Sequence, residues 1–404
     1  MKVNKWTTGL AAAGVVSLAS AAQAGDANET VMTAVSSTTL SGYVSVSALW
    51  NPGSGNAAVP GQSFRGGTAQ AQDSIAGDVF SLSISKPLDE SEWAAGYNAQ
   101  LWFGDSSLSG TAPTIGSAAG FGDGGIQIKN GNIDLRVPVG NGIDLKVGVF
   151  DSIIGYEASD YNANPNYTRN YGWGIEPTTH EGVLASYAVN DMLSVSAGIA
   201  NSSGVTGGGR VVGTGVGIGT PIPGESQKSY MASIAITAPD SAGFLSGGSL
   251  YAGVVDGLTG ASTAAETTNI YVGATLPTPV EGLAVGIGWD YRLNNGGNGF
   301  SAPGTTGAGW ASALAGYLSY DVTEKIAAHY RIDWAKGTDD TFGADANGTE
   351  DKLLSNTITL DYKAWENVIS RLEVRWDHSL DAQYRYGVAD RNDIAIIGNF
   401  IYQF

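Results

Sequence analysis

The sequence predicts an all-β fold, a transmembrane antiparallel β-barrel of about 16 strands with short periplasmic turns and long extracellular loops. Three observations predict it. Segments of roughly ten residues alternate apolar and polar side chains along the chain. The connections between them alternate short and long. The last residues turn aromatic on one face, at Phe400, Tyr402 and Phe404. A spanning helix needs about 18 to 20 consecutive apolar residues, and no such run is present. A mean hydropathy of −0.02 does not argue against membrane strands, which dilute their apolar half with polar lumen residues.

At the start, Lys2 and Lys5 form a basic n-region, Gly9 to Leu18 an apolar h-region, and Ala22-Gln23-Ala24 a small-residue cleavage site. This reads as a secretory signal peptide over 1–24 with cleavage after Ala24. A short mature segment follows over 25–38, and a single barrel domain over 39–404. Removing the two lysines takes the formal charge from −18 to −20, which argues against a nucleic-acid partner. The chain has no cysteine, so a disulfide scaffold, a thiolate metal site and a cysteine nucleophile are excluded together. Glycine, at 58 residues, suits turns and loops rather than helices.

The first strand reads Leu40 to Trp50, with Leu, Gly, Val, Val, Ala and Trp on one face and mostly Ser on the other. Further strands are predicted near 77–86, 93–104, 126–137, 142–151, 180–189, 192–201, 227–238, 248–257, 266–276, 282–293, 309–321, 325–335, 353–362, 369–379 and 392–404. Short connections such as Pro138 to Asn141, Asn190-Asp191 and Val322 to Glu324 carry turn residues. They alternate with mostly longer loops at 51–76, 105–125, 152–179, 202–226, 258–265, 294–308, 336–352 and 380–391. A soluble sandwich has no reason to alternate so regularly.

Aromatics gather at strand ends, as interfacial girdles require. Trp50, Phe103, Trp289, Tyr291, Trp310, Trp334 and Trp376 fall near the extracellular end. Trp93, Tyr320, Tyr362, Trp365, Phe400, Tyr402 and Phe404 fall near the periplasmic one. The last strand must also close the barrel. There Ile397 and Ile401 share the inward parity, where a watery pore prefers polar groups. Either the parity shifts or something apolar covers them.

The inward positions carry charge of both signs. Along 369–379, Leu372, Val374 and Trp376 face lipid while Arg371, Glu373, Arg375 and Asp377 face the other way. A cation on the lipid side at mid-bilayer costs about 2–4 kcal/mol. The same parity turns Asp134, Arg136, Asp144, Lys146, Asp290, Arg292, His329, Arg331, Asp333 and Asp361 inward, with Lys363 extending it into a turn. So many ions imply water inside, and these residues are expected to line a channel. Paired acids and bases that merely brace the wall are the plainer alternative.

The loop 152–179 is the longest and holds Tyr156, Tyr161, Tyr167, Tyr171 and Trp173. As the third loop it resembles the one that general porins fold into the barrel, and that resemblance implies a constriction here. There Glu157 and Asp160 would oppose some of Arg136, Arg331, Arg371 and Arg375, and Arg169 belongs to the same loop. An ordered surface loop is the alternative. Its rings could also stack on sugars. Acids dominate another loop, with Asp339, Asp340, Asp345, Glu350 and Asp351, so a mild cation preference is expected. Those carboxylates could instead bridge to lipopolysaccharide phosphates.

Catalytic readings find little support. His180, His329 and His378 lie on different strands, and His180-Glu181 lacks the second histidine of a zinc helix. The glycine stretch Gly207 to Gly219 misses nucleotide-loop spacing. No cofactor or metal is expected, nor an enzymatic activity.

The run Ser36-Ser37-Thr38-Thr39-Leu40-Ser41-Gly42-Tyr43 leading to Trp50, with the aromatic C-terminus, resembles the OmpL-like putative β-barrel porin-2 family. That resemblance implies an outer-membrane porin for passive diffusion of small hydrophilic solutes, and a homotrimer. Phe404 would be the residue read by the barrel-assembly machinery, and outer-membrane lipid and lipopolysaccharide would be partners. A selective sugar or oligosaccharide channel, and a structural or adhesive surface protein, are the competing expectations.

Overall fold

Alternation with period 2 lets a strand show one face to lipid and the other to the interior. A computed structural model describes residues 38–52, 73–104, 114–115, 126–203, 228–258, 266–295, 309–338, 342, 350–380 and 391–404. The signal-peptide residues, the glycine stretch 207–219, and Asp339, Asp340 and Asp345 lie outside them.

The strands are β1 (Thr39–Trp50), β2 (Ser74–Lys86), β3 (Ala95–Phe103), β4 (Thr114–Ile115), β5 (Ile126–Val137), β6 (Ile143–Asp151), β7 (Thr179–Ala188), β8 (Leu193–Ala200) and β9 (Ser229–Thr237). They continue with β10 (Ser249–Leu258), β11 (Glu266–Pro277), β12 (Leu283–Asn295), β13 (Gly309–Asp321), β14 (Ile326–Gly337), β15 (Asp351–Tyr362), β16 (Val368–Ser379) and β17 (Asn392–Gln403). Sixteen of them pair antiparallel in chain order, and β17 pairs back onto β1, closing the wall. Closure gives each of these sixteen strands two partners, which lipid demands of a sheet. β4 is a two-residue strand pairing with β5, and no predicted segment corresponds to it.

The two faces separate cleanly. On β15, Ser355, Thr357 and Thr359 are fully buried inward while Ile358 and Leu360 are exposed outward, at 61% and 45%. The aromatic residues predicted as girdles face outward on their strands or, like Trp93, stand exposed in a turn. Trp289, Tyr291 and Trp310 stack in sequence at 6.0 and 6.5 Å, and Trp376 stacks on His378.

The closing seam runs from Tyr43↔Gln403 to Trp50↔Ile396. Phe404 extends it: its amide donates to the Gly42 carbonyl, and the Gly42 amide donates to the Phe404 carbonyl, both at 3.0 Å. A Cβ on Gly42 would lie 2.6 Å from the Phe404 ring, so only glycine lets the last residue settle there. Beyond it the ring stacks on Phe80.

Ile397 and Ile401 keep their inward parity and are fully buried. They join an apolar cluster with Tyr43, Leu49, Trp102 and Ile369, and its lid is Tyr161 and Tyr167 of the 152–178 connection. That connection therefore runs inside the barrel. Asp351, read above as a loop acid, instead faces inward on β15, buried, and accepts the Phe342 amide at 2.7 Å.

Candidate functional site

The loop begins where β6 ends and returns into β7, its neck closed by the Ser152 amide donating to the Thr178 carbonyl. Ile153 and Ile154 sink into an apolar cluster with Phe150, Leu184, Met231, Tyr251 and Tyr271. Tyr156 then lies across β12, where a Cβ on Gly286 would fall 1.8 Å from its hydroxyl. Its ring stacks on Tyr317 at 4.1 Å and its hydroxyl meets Thr275. Burial raises the Tyr156 phenol above its ordinary value.

From there the loop crosses to the arginine-bearing wall. Arg331 donates to Asp333 on its own strand, to Glu157 Oε1 at 3.0 Å, to the Thr168 carbonyl and hydroxyl, and to the Arg169 carbonyl. Arg371 donates to Asp361 and to the Tyr161 and Asn164 carbonyls. Arg375 grips Asp377 through two nitrogens at 2.7 Å and gives its remaining one to the Arg169 carbonyl. Glu373 accepts from the Tyr167 and Thr168 amides and from the Thr168 and Thr359 hydroxyls. A guanidinium carries five donors in a fixed fork, so it can hold a wall carboxylate and several loop carbonyls at once.

These groups are sealed. Arg331, Glu373, Arg375 and Asp377 are fully buried and Asp333 nearly so. The expectation that they line water is therefore corrected: they face inward, but beneath the loop. Such a ladder needs no water if a backbone segment supplies the missing acceptors.

Glu157 meets Arg331, and also takes the Asn170 amide and the Tyr317 hydroxyl. Among the described residues the Asp160 carboxylate meets none of the wall arginines, while its backbone carbonyl takes Arg169 at 3.5 Å. The carboxylate accepts from Tyr43 and from Gln100 at 2.8 Å. Arg136 lies away from the loop, paired with Asp144. Arg169 is buried and turned into the loop, donating to its own Ser159 and Tyr167 carbonyls between the Tyr161 and Trp173 rings. Burial pulls its guanidinium below the ordinary value. Tyr161, Tyr167 and Tyr171 are fully buried, which removes them as sugar-stacking surfaces.

Asp290 and Arg292 stand at the loop's return. Arg292 donates to Asn294, and a Cβ on Gly172 would lie 2.1 Å from Asp290. Glu176 is buried beside Asp290, and desolvation followed by the Asp290 charge pushes its carboxyl well above the usual range. His329 meets Ser319 at 2.7 Å and lies 3.6 Å from Asp361.

Toward the turn that joins them, β5 and β6 are less covered. Asp134 faces Lys146, and Arg136 faces Asp144, across the β5–β6 pairing. All four are only partly buried. Between the end of β6 and the two arms of the loop, a recess of about 30 Å³ is lined by Asp151, Tyr156, Glu157, Asp160, Trp173 and Glu176.

Two inward charges escape the period-2 reading because each sits at a bulge. Asp78 is skipped where the β1–β2 register shifts, and Lys129 where β3–β5 shifts. A bulge places two successive residues on one side and re-aims a side chain. Asp78 accepts from Ser45, Ser47 and Tyr167. Lys129 pairs with Asp151 and lies over Trp102. The polar run Lys129-Asn130 inside a strand is the signal that could have found it.

Residues 37–404 match the family described as "Putative beta-barrel porin-2, OmpL-like". The chain belongs to that family. Its fold is that of solved porins. It is similar to the outer membrane channel DcaP of Acinetobacter baumannii, with a TM-score of 0.58 at 12% identity, covering 91% of this chain and 97% of that one. It is similar to OmpF of Salmonella typhi, with a TM-score of 0.57 at 11% identity over 91% and 97%. It is likewise similar to an anion-selective porin from Comamonas acidovorans, with a TM-score of 0.55 at 12% identity over 91% and 99%. No curated protein matches the sequence. Membership in this porin family makes the protein an outer-membrane channel for passive diffusion. Family and fold point to a channel rather than an enzyme.

Proposed function

We propose that the channel passes small hydrophilic solutes and prefers cations, through an aperture left between the 152–178 loop and the β5–β8 wall. One observation carries the reading: Arg331, Arg371 and Arg375 are consumed in seating the loop, while Asp151 at the end of β6 and Asp160 on the loop remain partly exposed beside the recess. Field at a narrow, low-dielectric aperture selects ions by the charges that reach it, and covered arginines reach it least. Lys129 offsets Asp151 in part. Asp134, Arg136, Asp144 and Lys146 line the water-filled side in this reading, nearly balanced in charge. The selectivity named for the Comamonas porin does not transfer with the fold, because it rests on such local charges.

A reversal potential measured across a KCl gradient tests the proposal. Cation preference is expected, and the Asp151→Asn/Asp160→Asn double variant should lose most of it. Anion preference in the parent protein refutes it.

The same reading includes export by the signal peptide with cleavage after Ala24, and recognition of the Phe404 end by the assembly machinery. Lipid and lipopolysaccharide surround the barrel, and the functional unit is a homotrimer. A solved Vibrio cholerae OmpT of similar fold is described as a trimer, which supports the last point.

A further inference from the structure

Lys336 and Lys352 face each other directly across the β14–β15 ladder. Both lie on the outward parity, Lys336 one step beyond the exposed Ile332 and Trp334 on β14, at the strand ends that lead into the 338–350 connection. Like charges directly opposite in a sheet destabilise it, and a lipid-side cation within the bilayer costs more. Two such lysines side by side therefore need a shared counter-charge. Among the described residues, protein supplies only part of it. Lys336 pairs with Glu350 at 2.9 Å, a carboxylate 46% exposed on the extracellular side. Lys352 has no ion pair or side-chain hydrogen bond among the described residues.

The surroundings are those of a lipid headgroup zone. Lys336 lies over the Trp310 ring at 5.3 Å, and Trp310 continues the outward stack of Tyr291 and Trp289. Trp334 flanks it from below, 39% exposed. Aromatic rings of this kind sit at headgroup depth, with their apolar edges against acyl chains.

We propose that Lys336 and Lys352 form a clamp for a phosphate monoester of an outer-leaflet lipid headgroup, with the aromatic row beneath it taking the acyl chains. A monoester has three terminal oxygens and close to two negative charges at neutral pH, enough for separate oxygens to face the two ammonium groups while Glu350 keeps its contact with Lys336. The site rests on the outer-membrane reading of the barrel but not on the aperture described above.

Native mass spectrometry of the detergent-solubilised protein tests it, with bis-phosphorylated lipid A, dephosphorylated lipid A and inorganic phosphate as probes. The parent should retain bis-phosphorylated lipid A and not the dephosphorylated form. Each lysine removed should weaken retention roughly fivefold, so Lys336→Gln/Lys352→Gln loses the adduct. Lys336→Arg/Lys352→Arg should keep it. Heat-modifiable migration and single-channel conductance should stay unchanged in both, which separates this site from the channel itself. Equal retention by the glutamine variant, or equal binding of dephosphorylated lipid A, overturns the proposal. Displacement by inorganic phosphate at concentrations matching the lipid would overturn the lipid as its source.

Discussion

The wall of β14–β16 and the wall of β5–β6 carry the same kind of ladder, acids and bases alternating on the inward face. On β14–β16, Arg331, Asp333, Arg375 and Asp377 are buried almost completely, and loop carbonyls take the spare guanidinium donors. On β5–β6, Arg136 and Asp144 keep 23% and 18% of their side chains exposed and satisfy each other. Residue type does not distinguish the two. The difference lies in what covers them: a loop whose carbonyls take the guanidiniums in one case, partial exposure near the β5–β6 turn in the other. Charge pointing into a barrel thus reports water only where no backbone competes for it.

The buried wall is where breaking this contrast should have its largest effect. Arg375→Met would leave Asp377 and Asp333 buried without one of their counter-charges and remove a donor to the Arg169 carbonyl. Losing one partner of a buried, hydrogen-bonded pair costs about 3–5 kcal/mol. The loop should unseat, so single-channel conductance should rise and heat-modified migration should appear at lower temperature. Conductance indistinguishable from the parent would show that the loop does not depend on this wall.

The barrel itself was readable because lipid enforces period 2. Predicted segments 126–137 and 309–321 coincide with β5 and β13, and most others differ by one to three residues at an end. The inward ladder was readable for the same reason. What alternation cannot carry is a break in alternation, and Asp78 and Lys129 at the bulges were accordingly missed. Nor does it tell which inward charges are covered. The clue was present in Ile397 and Ile401, apolar residues on a face that should be wet, but naming their cover required seeing Tyr161 and Tyr167 fold back across the lumen. The partners of Asp160, Tyr43 and Gln100, lie 117 and 60 residues away on strands that only closure brings to the loop.

A second break in the contrast is chemical rather than mutational. Glu176 is buried against Asp290, with Gly155 so close that a Cβ there would lie 2.5 Å from its carboxyl. Glu157 adds negative charge nearby, and desolvation leads the causes of its raised pKa. A carboxyl whose pKa is raised in the folded state stabilises that state fully below its ordinary value of 4.5. The contribution is lost as pH climbs through the raised folded value. The seated loop should therefore loosen toward alkaline pH, seen as conductance fluctuations or new cleavage by trypsin at Arg169. Glu176→Gln keeps the shape without the titration and should flatten the profile. A parent profile already flat across that range would remove Glu176 as its source.

The smallest effect belongs to the β5–β6 wall, and its smallness is the point. Arg136 donates to both Asp144 oxygens at 2.7 and 2.9 Å, a geometry as good as that of Arg375. Yet water reaches the β5–β6 pair, and exposed ion pairs contribute about 0–1 kcal/mol because solvent replaces the lost partner. Arg136→Ala should therefore leave heat-modifiable migration unchanged and the loop seated. It removes one lumen cation beside Asp144 and Asp134, so the reversal potential should move slightly further toward cations. Destabilisation approaching that of Arg375→Met would mean that the two walls are equally dry, and that exposure does not separate them.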